Sequence, residues 1–399
     1  MSQFSTASPD CKSARYTWRR DSLTSVRMSF FRWGSQQGGN FMRKMLQRLT
    51  LAIAAVCLLS ATSLAAQVTL KAVATFPKGS TFNAEFERFV EKVNKEGAGK
   101  LKINLLGHGG AVMHPFEMGK AVRDGVIDLC SCPSSFYTKL FPEGYALKQS
   151  QYSIHEMREN GAFDYIEKIT NEKLNAHWLG RSHDEDVFHI YLAKKVDKPD
   201  LSGIKIRTAP LHRAFATAIK ATPVLLPPGQ IYTALERGTV DGFIWTMRGI
   251  FDFSWHKFVK YRIDYPFYTA HTEVIINLDK WNALDQTQKD LLEANGRWID
   301  RLNYETLVEN EEERQRQKKA GIEAITFSDA DARTYLDMAF QAGWDEVLKR
   351  APQHGAKLKE LLTGKGECEG GIGPHCITMA EIEERAPEQA ARLKTLRGN

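Results

Sequence analysis

The stretch GIKIRTAP, Gly203 to Pro210, constrains this chain more than any other. Ile204 and Ile206 alternate with Lys205 and Arg207 as in a half-buried strand. Pro210 then opens a helix at a first-turn position, where its missing N–H costs nothing. Arg207 is thereby placed at the exit of a strand. In an open α/β sheet, ligands bind in the crevice beyond the carboxyl ends of the strands. A guanidinium there presents a planar, permanently charged fork that fits a carboxylate bidentately.

The remaining pattern is that of alternating strands and helices. Val68 to Phe76 reads as a strand, and Ser80 or Thr81 caps a helix carrying Phe82, Phe86, Phe89, Val90 and Val93, ended by Gly97. Leu101 to Leu106, a helix from Pro115 to Asp124 and the strand VIDLCS complete a β-α-β-α-β order, the opening half of a doubly wound lobe. His155 to Lys173 is a helix interrupted at Gly161, Asn175 to Arg181 a strand, and Val187 to Ala193 another. His212 to Lys220 and Gln230 to Arg237 are helices, and VDGFIW is the strand behind the second. Glu273 to Trp281 starts as a strand, with Asn277 serving the turn into the next helix. Thr287 to Ala320 reads as one long helix, Ser328 caps a final helix pair reaching Leu362, and Met379 to Leu396 is helical within a tail from Gly364 to Asn399.

Composition bears on destination. Nine of the 54 Lys and Arg, but only Asp10 and Asp21 of the 48 acidic residues, fall in the first 66 positions. The rest of the chain therefore holds 45 basic and 46 acidic residues, a balance that does not suit nucleic-acid binding. The leader ends in an export pattern: Arg43, Lys44 and Arg48, then apolar Leu49 to Leu59, then Ser63, Ala65 and Ala66. An uncleaved membrane anchor is the alternative, although the apolar run is short for a span. Four cysteines follow the leader. Cys368 and Cys376 bracket the Gly-rich loop ECEGGIGPHC and are expected to form a local bridge in an oxidising compartment. Cys130 and Cys132 read as two small buried thiols, or as a metal pair with His108 and His114 nearby.

The order GIKIRTAP, a helix, then ATPVLLPPGQIYTALERGTVDG resembles the extracytoplasmic solute-binding subunit of TRAP (tripartite ATP-independent periplasmic) transporters, from about Val68 to Leu362. The resemblance implies a two-lobed, type II-like α/β binding protein, each lobe a mixed sheet flanked by helices, with a long helix crossing both. Residues 67–187 with 273–312 are expected to form one lobe and 188–272 with 313–363 the other, between a leader at 1–66 and an extension at 364–399. It implies that Arg207 grips a substrate carboxylate and that Thr75 and Phe76, at the end of the first strand, approach the ligand from the first lobe.

Many relatives carry a second carboxylate-binding arginine about twenty residues earlier. Here His189 stands in that region, as a ligand contact or a satisfied core histidine, and Arg181 lies further back, either as a contact or as a surface ion pair beside His183, Asp184, Glu185 and Asp186. Tyr137 lines the cleft or packs in the core. Trp245 walls the cleft with an indole that can donate one N–H. Ile244 and Trp245 replace the Glu-Asn or Glu-Trp common after the family's "DG", which weakens the case for a bound cation. No metal or cofactor is expected. The implied function is binding of an organic acid outside the inner membrane, by a monomer with a cleaved signal peptide, and its delivery to TRAP membrane subunits. The alternatives are a ligand-sensing module for a kinase and a carboxylate-processing enzyme. The mature region carries no G-x-S-x-G, H-E-x-x-H or Walker pattern, so no enzyme is expected.

Overall fold

The structure, a computed structural model, describes Arg43, Met45, residues 67–365 and residues 374–398. The export signal, apart from Arg43, and Cys368 lie outside the described residues. Val68–Ala74 (β1) and Leu101–His108 (β2) form a parallel pair joined by Ala84–Glu96 (α1), whose Phe86, Phe89, Val90 and Val93 are buried. The Ser80 hydroxyl accepts the Phe82 N–H and starts this helical segment. Met118–Arg123 (α2) leads to Leu129–Cys132 (β3), parallel to β1. Ile154–Glu159 (α3) is entered through a Ser153–Glu156 capping box, and Ala162–Leu174 (α4) follows a left-handed Gly161.

Where two strands were expected, the structure has one of 17 residues, Ala176–Leu192 (β4). Next come Lys205–Thr208 (β5), Arg213–Ala218 (α5), Thr222–Leu225 (β6), Ile231–Glu236 (α6), Gly242–Thr246 (β7), Tyr261–Ile263 (β8) and Thr269–Asn277 (β9). Asn277 caps Leu278–Ala283 (α7) through the Lys280 N–H. The expected long helix is two consecutive segments, Gln286–Arg301 (α8) and Asn303–Lys319 (α9), separated only at Leu302, whose φ of −64° and ψ of −18° stay helical. Glu323–Ile325 (β10), Asp329–Arg350 (α10), Gly355–Leu362 (α11), Met379–Arg385 (α12) and Pro387–Arg397 (α13) complete the chain. No described helix is long and apolar enough to cross a membrane.

The strands run in the order β2-β1-β3-β9-β4-β7-β5-β6, with β8 pairing both β4 and β10. This is two mixed sheets sharing one strand. Up to Val187, β4 pairs antiparallel with β9; from Phe188 it pairs with β7, and from Ile190 also with β8. Three register shifts between Trp178 and Asp186 mark bulges, which bend a strand and raise its twist where it passes between sheets.

The run from Arg181 to Asp186 is not a surface cluster. All six residues are buried, each charge answered by a partner brought in by another element or close along the strand. Arg181 Nη1 bonds Asp184, and the Arg181 backbone N–H donates to Asp300 Oδ1 at 2.7 Å. His183 faces Glu85 at 2.9 Å, Glu185 takes the His375 imidazole at 2.7 Å, and Asp186 accepts a fork from Arg248. Charge in the sequence argued for exposure, but pairing allows a strand to carry these groups through the interior.

Candidate ligand-binding site

Arg207 sits on β5, flanked by β6 and β7 in parallel register, and its guanidinium is buried. Nε and Nη2 donate to the Leu226 carbonyl at 2.9 and 2.7 Å, and Nη1 to the Ile244 carbonyl at 3.3 Å. A guanidinium has five N–H groups, so two remain. Among the described residues no carboxylate lies within ion-pair distance of it. Burial alone pushes its pKa down, to about 9, with no acidic neighbour acting in the other direction. A cation in that position lacks its counter-charge.

The cavity that Arg207 lines is walled mostly by rings: Phe76, Phe82, Phe136, Phe188 and Trp245, with Leu211 and Ala209. Phe76 and Phe82 meet the Trp245 indole edge-on, at centroid distances of 6.3 and 5.8 Å, and the Arg207 guanidinium carbon lies 5.3 Å from the same indole. The free space among these side chains is about 40 Å³, which suits a small solute.

Polar atoms reach this apolar chamber from few side chains. His212, at the start of the helical turn opened by Pro210, accepts the Ala209 N–H on Nδ1 at 3.2 Å, which leaves the proton on Nε2. That Nε2 is buried and has no partner among the described residues. Burial first, then the positive charges of Arg207 and Lys148, hold His212 well below the usual histidine range, so it is a neutral donor. His271, Thr269, Thr272, Thr246 and Ser135 also line the chamber, but the Thr246 and Thr269 hydroxyls donate to the Arg248 and Leu147 carbonyls.

Of the residues expected at the site, the structure brings Arg207, Trp245 and Phe76 together on this cavity. Thr75, next to Phe76, is buried and donates to the Met118 sulfur at 3.0 Å, away from the lining. Tyr137 lines a second, larger space that adjoins the first at Phe136 and Ala209, and its ring lies against Gly119, where any Cβ would meet ring carbons at 2.3 and 2.5 Å. His189 is buried in β4, its Nδ1 on the Ile263 carbonyl at 3.1 Å, and burial holds its pKa at about 3. Arg181 is buried against Asp184 in the crossing strand. Neither is among the residues that line the chamber.

The thiols of Cys130 and Cys132 are free and buried, and neither His108 nor His114 joins them: His108 bonds Glu87 at 2.7 Å, and His114 caps the turn at Phe116. Cys376 is disulfide-bonded. Sequence reasoning missed His212, His271 and Phe136. The signal for His212 was present, since a histidine two residues past a helix-opening proline at a strand exit faces the same crevice as the strand's last residues.

Comparisons with known proteins bear on the family and the fold. The profile of a family described as bacterial extracellular solute-binding protein, family 7, matches residues 72–350. The 2,3-diketo-L-gulonate-binding periplasmic protein of Escherichia coli (strain K12) is 27% identical over 173 residues, 41% of this chain and 50% of that protein. The match thus spans about half the length of that relative.

Solved structures share the fold over most of the chain. An extracytoplasmic solute receptor of Bordetella pertussis binding pyroglutamic acid superposes with a TM-score of 0.67 at 16% identity, covering 74% of this chain and 99% of that one. A TRAP periplasmic solute-binding protein of Desulfovibrio salexigens with bound orotic acid gives 0.65 at 16%, covering 74% and 97%. A TRAP transporter solute-binding protein of Bordetella bronchiseptica RB50, with calcium and picolinate in its active site, gives 0.64 at 20%, covering 74% and 92%.

Proposed function

This chain belongs to family 7 of the bacterial extracellular solute-binding proteins, and from that membership we propose that it binds a small organic acid as the receptor subunit of a TRAP transporter. The observation that carries the reading is the buried Arg207 guanidinium, which among the described residues has two unused N–H groups and no acidic partner, on a chamber of aromatic rings. A ligand carboxylate supplies the missing charge and accepts those N–H bonds, and the neutral His212 Nε2 donates another. Trp245 and Phe76 pack the body of the solute. With one uncompensated cation on the lining, a monocarboxylate with a compact apolar or ring portion fits better than a dicarboxylate, whose second charge would be buried unpaired. The relatives that bind pyroglutamic acid, orotic acid or picolinate take ligands of that kind.

The larger space carries Lys139 and Arg213 against Glu117, with Lys120 and Arg350 paired to Asp124 and Glu346, a basic approach suited to an anion. The proposed lobes, 67–187 with 273–312 and 188–272 with 313–363, close on the solute by bending at β4, whose change of partner between Val187 and Phe188 supports the first boundary. The closed form is then read by membrane subunits, in the periplasm, after removal of the leader as a signal peptide. The test is a thermal-shift screen of the purified protein against organic acids, including pyroglutamate, orotate, picolinate, succinate and malate. Ligands that bind the native state raise its melting temperature by mass action. Shifts confined to monocarboxylates support the proposal; shifts only from dicarboxylates, or from none of the acids, contradict it.

A further inference from the structure

The chamber holds a second polar device, on the sheet opposite Arg207. His271 and Glu273 lie on β9, the strand between β3 and β4, where Glu273 is in register with Cys132 on one side and Arg181 on the other. Glu273 is buried and both its oxygens are committed. Oε1 meets His271 Nδ1 at 2.5 Å, and Oε2 accepts the Ser134 N–H at 2.7 Å. Burial raises the carboxyl's pKa, but the imidazole, Arg181 and the Ser134 N–H together bring it below its usual value, so Glu273 is an anion that fixes the ring. With Nδ1 taken, the ring's other nitrogen, Nε2, has no hydrogen-bond partner among the described residues, and the ring lines the same cavity as Arg207. A buried carboxylate is costly to keep in an apolar region unless it has work to do. Here it fixes an imidazole on the chamber lining, on a strand paired on both sides, the rigid support that a selective contact needs.

We propose that His271, positioned by Glu273, is a specificity-determining contact that reads a second polar atom of the ligand, distinct from the carboxylate taken by Arg207. Nε2 accepts from a hydroxyl or ring N–H when neutral and donates to a carbonyl oxygen when protonated. The ligand is thus held between Arg207 and His212 of one sheet and His271 of the other. This inference rests on the organic-acid reading of the site, and its test is arranged so that the two fail differently.

The test is calorimetry on the full chain with matched acids: pyroglutamate against cyclopentanecarboxylate, and mandelate and phenylglyoxylate against phenylacetate. The wild type is expected to prefer the polar member by about tenfold or more, the scale of one well-placed hydrogen bond to a charged or oriented partner. His271→Leu should erase that preference by weakening the polar member alone, and Glu273→Gln should reduce it. Arg207→Lys should weaken both members of each pair. Nitrogen NMR of the wild type gives a readout independent of any variant's folding: the His271 Nε2 signal should move with a polar probe and stay with its hydrocarbon partner. Equal affinities within every pair, equal weakening of both members by His271→Leu, an unmoved Nε2 signal, or no binding of any pair would overturn the inference. Arg207→Lys without effect on either member would instead overturn the organic-acid reading.

Discussion

Arg207 is held by two carbonyls, Leu226 and Ile244, and by the ring of Trp245, none of which neutralises it. A buried charge without a counterion costs stability, and the three hydrogen bonds offset only part of that cost. Arg207→Met is therefore expected to leave the melting temperature of the ligand-free protein equal or higher while abolishing every ligand-induced shift. A fall of several degrees in the ligand-free variant would mean that the side chain is structural. Arg207 was legible because all its cues are local: the alternation of Ile204 and Ile206, and Pro210 three residues on. His271 was not, because what makes it informative is Glu273 beside it and Ser134, 139 positions before that glutamate. Charged residues between Arg181 and Asp186 misled for the same reason, since their partners Asp300 and His375 stand 119 and 190 positions away.

At the scale of elements, β4 is the member to which the others are tied. Helix α8 approaches it so closely that a Cβ on Gly180 would meet the Gly296 carbonyl at 2.6 Å, and one on Gly296 the Leu179 carbonyl at 2.3 Å. Gly296→Ala should therefore lower the melting temperature by several degrees, by forcing helix and strand apart. His177 on β4 links helices from two directions, with Nδ1 on Glu167 of α4 at 2.6 Å and Nε2 on Glu293 of α8 at 2.9 Å. Burial pushes its pKa down, but the two carboxylates more than reverse this, to about 9. The folded pKa lies above the unfolded one, so the stabilisation is fully present below about pH 6.5 and is lost as pH rises toward 9. Its size is on the order of 3 kcal/mol by linkage. Denaturant titrations of the wild type should show that decline between pH 6.5 and 9, and His177→Gln should flatten it. The strand and helix order was readable from periodicity, whereas the fusion of two expected strands into β4 was not, because the polar run between them looks like a break until its partners are in place.

The whole molecule adds contacts that join the two proposed lobes around the chamber. The Thr81 N–H donates to Asp252 at 2.7 Å, and the buried Lys148 Nζ to the Leu211 carbonyl at 2.7 Å, over the Tyr268 ring at 4.2 Å. Asp252→Ala is expected to quicken ligand release several-fold without changing the preference among acids, as stopped-flow displacement would show. Beyond the family match, α12 and α13 pack Ile382, Ala386, Ala390 and Leu393 on Tyr304, Leu307 and Val308 of α9, and the loop before them delivers His375 to Glu185 on β4. The extension is thereby fastened to the strand that both sheets share. The proposed function turns on one buried cation, Arg207. Titration calorimetry of the wild type and Arg207→Ala with the tightest acid from the screen tests that most directly. The account predicts a loss of about 2–5 kcal/mol, roughly thirty- to several-thousand-fold in affinity, with an unchanged circular dichroism spectrum; equal affinity in the two proteins would contradict it.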